Sequence, residues 1–149
     1  MYYHGFNVVL QEVPGEISLC FSISGCPLRC DGCHSPFLWK KGSGKKLTEE
    51  IYRELLEKYS GFASCVIFMG GEWHQIQLVE KLKYARQTGY KTCLYTGEEK
   101  VDKKITEQLT WIKTGRWDKT LGGLDNETTN QKFIELKTNR ILNHLFIKK

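Results

Sequence analysis

A chain of 149 residues, 40% hydrophobic and 26% charged, with a formal net charge of +5, has the size and composition of one globular domain, 1–149, around a single core. It is too short for a complete eight-stranded β/α barrel, which takes about 250 residues, and long enough to stay folded without disulfides or a structural metal. No basic, apolar leader opens it and no 18 apolar residues follow one another, so a cytoplasmic location without membrane contact is expected. In a reducing compartment the six cysteines are expected to be ligands, reactive thiols or small buried side chains. The positive charge reads as spread over the helical stretches and the ends, which favours acidic partners weakly. Without a basic stripe interleaved with stacking aromatics, direct nucleic-acid binding is not expected.

From Glu16 the segment EISLCFSIS, set between Gly15 and Gly25, reads as a buried strand. A loop with three cysteines follows. Leu47, Ile51, Leu55, Leu56 and Tyr59 then fall at helical spacing, with Thr48 as N-cap, Glu49 and Glu50 at the positive end of the dipole and Gly61 as the stop. CVIFM, Cys65 to Met69, predicts a second buried strand that runs into Gly70-Gly71-Glu72. Leu78, Leu82 and Ala85 mark a second helix closed by Gly89, and Thr92 to Thr96 a third strand. Val101, Ile105 and Leu109 give a third helical stripe, and Trp111 to Lys113 a fourth strand. Lys113 to Gln131 has no periodicity and reads as a long loop, a length more often functional than idle. KFIELKT and RILNHLFIKK are expected to pair as a C-terminal hairpin.

Alternating strands and helices imply α/β architecture, an open or partial β/α barrel with a mostly parallel sheet and ligand sites at the C-terminal ends of the strands. The cysteine loop, Gly70-Gly71-Glu72 and Thr96-Gly97 each follow a strand, so a parallel sheet puts all three on one rim.

Cys26, Cys30 and Cys33 stand in the spacing C-x-x-x-C-x-x-C, three thiolates within eight residues. Three readings compete. With His34 the set spells a Cys3His zinc site, but His34 directly follows Cys33 and adjacent residues reach one small ion only with strain. Cys30, Cys33 and His34 also spell the C-x-x-C-H of haem attachment, which needs an exported chain. The third reading is a four-iron cluster with one open coordination position. Cys20, Cys65 and Cys93 have no ligand spacing and read as small hydrophobes inside strands.

The cysteine triplet after the first strand, with GGE after the second, resembles the radical S-adenosylmethionine enzymes. More narrowly, GCPLRCDGCHSP, FMGGEW, CLYTG and GGLDNETTNQKFIEL resemble the activating proteins of anaerobic ribonucleoside-triphosphate reductase. The resemblance covers most of the chain. It implies a [4Fe-4S] cluster on Cys26, Cys30 and Cys33, with the amine and carboxylate of S-adenosylmethionine on the fourth iron. Gly70 and Gly71 would let the backbone approach the methionyl end, and Glu72 would balance its ammonium. Many members carry an aromatic residue before the last cysteine, where this chain has Gly32. The backbone of Gly32, Cys33 and His34 is then the implied neighbour of adenine.

The implied reaction is one-electron cleavage of S-adenosylmethionine, with a flavodoxin-like or other low-potential donor. The resulting 5′-deoxyadenosyl radical removes hydrogen from a glycine of the large reductase subunit. The Lys113–Gln131 loop is the expected partner contact. Alternatives are a different glycyl-radical activase, a carboxy-deazaguanine synthase-like enzyme, or a noncatalytic metal-binding module.

Overall fold

The computed structural model describes residues 1–30, 32–33 and 36–147. Eight strands form one sheet: β1 (Tyr2–Val9), β2 (Ser18–Ile23), β3 (Lys45–Lys46), β4 (Cys65–Met69), β5 (Lys91–Tyr95), β6 (Trp111–Thr114), β7 (Lys132–Glu135) and β8 (Arg140–Ile141). Their order across the sheet is β3-β1-β2-β4-β5-β6-β7-β8. The four central strands, β2, β4, β5 and β6, are parallel. The flanks are antiparallel: β1 beside β2, β3 beside β1, and the C-terminal hairpin β7–β8 beside β6. The result is an open, mixed sheet flanked by helices, a partial β/α barrel whose parallel part is its centre.

Among the described residues three α-helices lie on the connections: α1 (Glu49–Lys58), α2 (Gln75–Gln87) and α3 (Lys103–Thr106). Thr48 caps α1 by accepting from the Ile51 amide at 3.2 Å. After α2 the Tyr90 amide reaches the Ala85 carbonyl at 2.9 Å and the Gly89 amide that of Arg86 at 3.1 Å. That paired pattern needs a left-handed residue, and Gly89 supplies φ 95°. The third stripe yields only four helical residues, opened by Asp102, which accepts from the Lys104 amide at 2.8 Å.

Strand alternation sorts the core into two faces. Leu19, Phe21 and Ile23 of β2, with Val66 and Phe68 of β4, meet the helices, where Tyr52, Leu56, Leu78 and Leu82 are buried. Phe21 and Phe68 stack at 5.4 Å, and the Tyr52 hydroxyl donates to the Lys81 carbonyl at 2.7 Å. Cys20, Cys65, Ile67 and Cys93 turn to the opposite face, covered by Val13, Leu124, Phe133 and Leu142. Among the described residues no helix is long and apolar enough to cross a membrane.

Candidate functional site

The C-terminal ends of the parallel strands open onto a cavity of about 1010 Å³. Its wall includes Cys26 and Cys33 from the loop after β2, Gly70 and Glu72 after β4, Thr96 and Gly97 after β5, and Lys113 from β6. The three motifs expected on one rim therefore meet around one space.

The cysteine loop is pinned from several sides. At Gly25, φ 95°, the chain turns so that the Gly25 and Cys26 amides both donate to the Leu38 carbonyl, at 2.6 and 3.0 Å. The Cys33 amide closes a turn onto the Cys30 carbonyl at 3.1 Å. Leu28 fills the notch left by Gly97, where an added Cβ would lie 2.3 Å from Leu28 Cδ1. Gly32, φ 71°, faces Trp117 and Lys119 at 3.5 and 3.6 Å, measured from the position a Cβ would take. The long polar loop thus packs against the cysteine loop.

After β4, two left-handed glycines bend the chain into the cavity wall. Gly70, φ 79°, carries the Trp73 ring, 2.5 Å from the site of an absent Cβ, and the Trp73 indole donates to the Ser24 carbonyl at 3.1 Å. Gly71, φ 111°, rests on Ile23 and does not line the cavity. Glu72 Oε1 accepts from the Thr96 hydroxyl at 2.6 Å, whereas Oε2 is buried without a partner among the described residues. Burial raises the Glu72 carboxyl above its ordinary range. Burial also lowers Lys113 to about 8, against the pull of Glu72, Cys30 and Cys26, which favour its charge.

Cys26 is pushed up by burial, while the amides of Leu28 and Arg29 donate to its sulfur and hold it down. Cys30 is 9% exposed and sits inside the loop, away from the cavity wall. His34 lies outside the described residues. Among the described residues no three His, Cys, Asp or Glu side chains already form a metal-holding group. The donor set nonetheless fits an iron–sulfur centre in kind: soft thiol donors on one short turn, amides aimed at the first sulfur, and Lys113 close enough to act on Cys26 and Cys30.

Some of the cavity wall carried no motif. Leu10 to Glu12, after β1, and Leu145 to Ile147, near the C-terminus, also line it. Tyr95 ties the first of these down by donating its hydroxyl to the Glu12 carbonyl. Both are short segments without periodicity, and only the pairing of β1 against β2 brings the first one here.

A family model described as a 4Fe-4S single cluster domain matches residues 13–114, from the turn before β2 to the end of β6. A pyruvate formate-lyase-activating enzyme of Clostridium pasteurianum is 36% identical over 93 residues, a match covering 58% of this chain and 39% of that protein. The chain thus spans well under half the length of this curated relative. Matched over most of its residues, with every strand of the parallel centre inside the match, the chain belongs to the 4Fe-4S single cluster domain family, within the radical S-adenosylmethionine superfamily.

Proposed function

We propose that the chain is a glycyl-radical activating enzyme that cleaves S-adenosylmethionine reductively. The observation that carries the reading is Glu72 Oε2, a buried carboxylate oxygen without a partner among the described residues, on the same cavity as Cys26 and Cys33. A buried acceptor of this kind is costly unless a cation meets it, and an amino-acid ammonium is such a cation. In this reading Cys26, Cys30 and Cys33 hold a [4Fe-4S] cluster, which when bound supplies a low-potential electron. Glu72 holds the methionyl ammonium, the Gly70 backbone gives the methionyl end room, and Lys113 faces its carboxylate. Gly71 acts by shaping the turn. The backbone at Gly32, Cys33 and His34 is proposed to lie beside adenine. One electron enters the sulfonium, its carbon–sulfur bond breaks to methionine and a 5′-deoxyadenosyl radical, and that radical takes a hydrogen atom from a partner's glycine.

The similarity to a pyruvate formate-lyase-activating enzyme favours a glycyl-radical partner, and it backs an activase other than that of the reductase better than the narrower reading does. The segment GGLDNETTNQKFIEL lies beyond the matched residues and favours anaerobic ribonucleoside-triphosphate reductase. The decisive assay follows 5′-deoxyadenosine and methionine formation by anaerobically reconstituted protein, with Cys30→Ala as control. It then compares glycyl-radical signals on the large reductase subunit and on pyruvate formate-lyase. Cleavage that depends on Cys30 and a radical on one partner only are expected. No cleavage by iron-loaded protein, even with both partners present, overturns the reading. Tightly held zinc in a colourless protein would instead identify a metal-binding module.

The loop expected over Lys113 to Gln131, whose first two residues belong to β6, is proposed as the partner contact. Deleting Gly122 to Thr128 should weaken glycyl-radical formation more than uncoupled cleavage. Equal loss of both would remove this role.

A further inference from the structure

The turn that carries Cys26 separates two cavities. One is the site above. The second, of about 750 Å³, lies behind the turn and is lined by Cys26, Arg29, Phe37, Trp39, Lys40 and Lys41 among others, with no acidic side chain among its described lining residues. Its wall is tied to the thiol-bearing turn: between Phe37 and Trp39 the Leu38 carbonyl takes both the Gly25 and the Cys26 amides, and the Lys41 stem packs 3.5 Å from the position of a Cβ on Gly25. The Arg29 guanidinium stands 5.9 Å over the Trp39 ring. Phe37 is 49% exposed, with the His4 ring 4.5 Å away.

The charge is far less spread than the sequence first suggests. Between Cys26 and Thr48 stand five cations, Arg29, Lys40, Lys41, Lys45 and Lys46, against one acid, Asp31. The rest of the chain is close to neutral, so nearly all of the net +5 falls in this segment, three of its cations on the second cavity's wall. An exposed aromatic that shares a cavity wall with three cations has the anatomy of a transient protein interface, in which the charges steer encounter and the ring supplies contact area.

We infer that this face receives an acidic one-electron carrier protein, whose redox group is seated behind Cys26 while S-adenosylmethionine occupies the front cavity. The inference rests on the reading that the chain cleaves S-adenosylmethionine reductively, a reaction that needs one electron from outside the chain. Electron transfer falls off steeply with distance, and the second cavity reaches the first thiol turn without displacing anything in the first. The two reactants then approach from opposite sides of one turn, and neither blocks the other. One electron leaves the carrier, and the sulfonium carbon–sulfur bond is broken by its uptake.

The test uses flavodoxin as the probe and the double variant Lys40→Glu, Lys41→Glu, with Phe37→Ser as a charge-neutral second variant. Binding of oxidised flavodoxin to the iron-loaded protein is titrated at low and high salt, and S-adenosylmethionine cleavage is driven separately by reduced flavodoxin and by dithionite. Expected are wild-type binding that weakens with salt, a loss of about tenfold or more in affinity in the double variant, and a smaller loss in Phe37→Ser. Flavodoxin-driven cleavage should fall in parallel, while dithionite-driven cleavage stays at the wild-type rate. Binding and flavodoxin-driven rates equal to wild type in both variants overturn the inference. So does wild-type protein that binds triphosphate or RNA on this face and not flavodoxin. Failure of dithionite to drive cleavage in the wild type strikes the proposed function instead, and the titration still reads the surface.

Discussion

The six cysteines divide into two sets of three that share a chemistry and differ in everything around them. Cys20, Cys65 and Cys93 sit within paired strands, at most 4% exposed, facing Ile67 and Phe133. Burial drives the thiols of Cys20 and Cys65 up to about 12, so neither has a thiolate to offer a metal. Cys26, Cys30 and Cys33 stand on a turn shaped by left-handed Gly25 and Gly32, with amides donating to the first sulfur and a cation within electrostatic reach. Strand pairing spends the backbone amides on the ladder and leaves the thiol an apolar neighbourhood. A turn leaves amides available for sulfur. Position in the fold, and not residue type, separates a packing thiol from one proposed as a ligand.

The strongest way to break this comparison is exchange between the sets. Cys26→Ala, Cys30→Ala or Cys33→Ala should each remove essentially all reconstituted iron while the far-ultraviolet circular dichroism stays native. Full iron in Cys30→Ala would dissolve the distinction. Glu72→Gln sharpens it from the cavity side: iron content should be unchanged and S-adenosylmethionine affinity should drop about tenfold by equilibrium binding. Unchanged affinity would return Glu72 to a structural role.

Cys65→Ala is expected to keep its iron and lose about 1 kcal/mol in urea unfolding, the cost of one buried heavy atom. A smaller effect lies away from both sets. Lys81, 4% exposed, meets Glu49 at 2.7 Å and holds its carboxyl below the ordinary 4.5. The stabilisation is complete above that ordinary value and is lost as pH falls through the lower folded one. In Lys81→Met this acid-side loss should disappear, and denaturant midpoints measured down the pH series would show it.

The parallel centre and the three motifs were legible because a buried strand ending in glycine is a local signal. Cys65 to Met69 and Gly70-Gly71 lie next to one another in the chain and in the fold. Thr48 and Gly89 were legible for the same reason, since a cap is decided within one turn. β1 was not. YYHGFNVV carries no clean alternation, and its partner register shifts between Tyr3 and Gly5, so only its pairing with β2 defines it. The short α3 departs from its long apolar stripe because Gln108 and Thr110 are claimed by β5: the Thr92 hydroxyl donates to the Gln108 carbonyl at 2.6 Å. The cavity wall at Leu10 to Glu12 and Leu145 to Ile147 depends on elements far apart in sequence. The 115–131 loop owes its shape to side chains bonding backbone, as when Thr129 donates to the Gly122 carbonyl at 2.8 Å.

An open sheet, unlike a closed barrel, has two edges with unspent hydrogen-bonding groups, which invite a second molecule to extend the ladder. Here the outermost strands have two residues each, Lys45–Lys46 on one side and Arg140–Ile141 on the other, all four exposed. Lys45 and Lys46 pair only with Tyr3 and Tyr2, so the outer side of β1 beyond Tyr3 has no strand partner among the described residues, and the positive charge of β3 stands at its end, where a second copy would have to dock. Replacing Lys45 and Lys46 by valine removes that charge and should make the protein prone to aggregate without altering its interior.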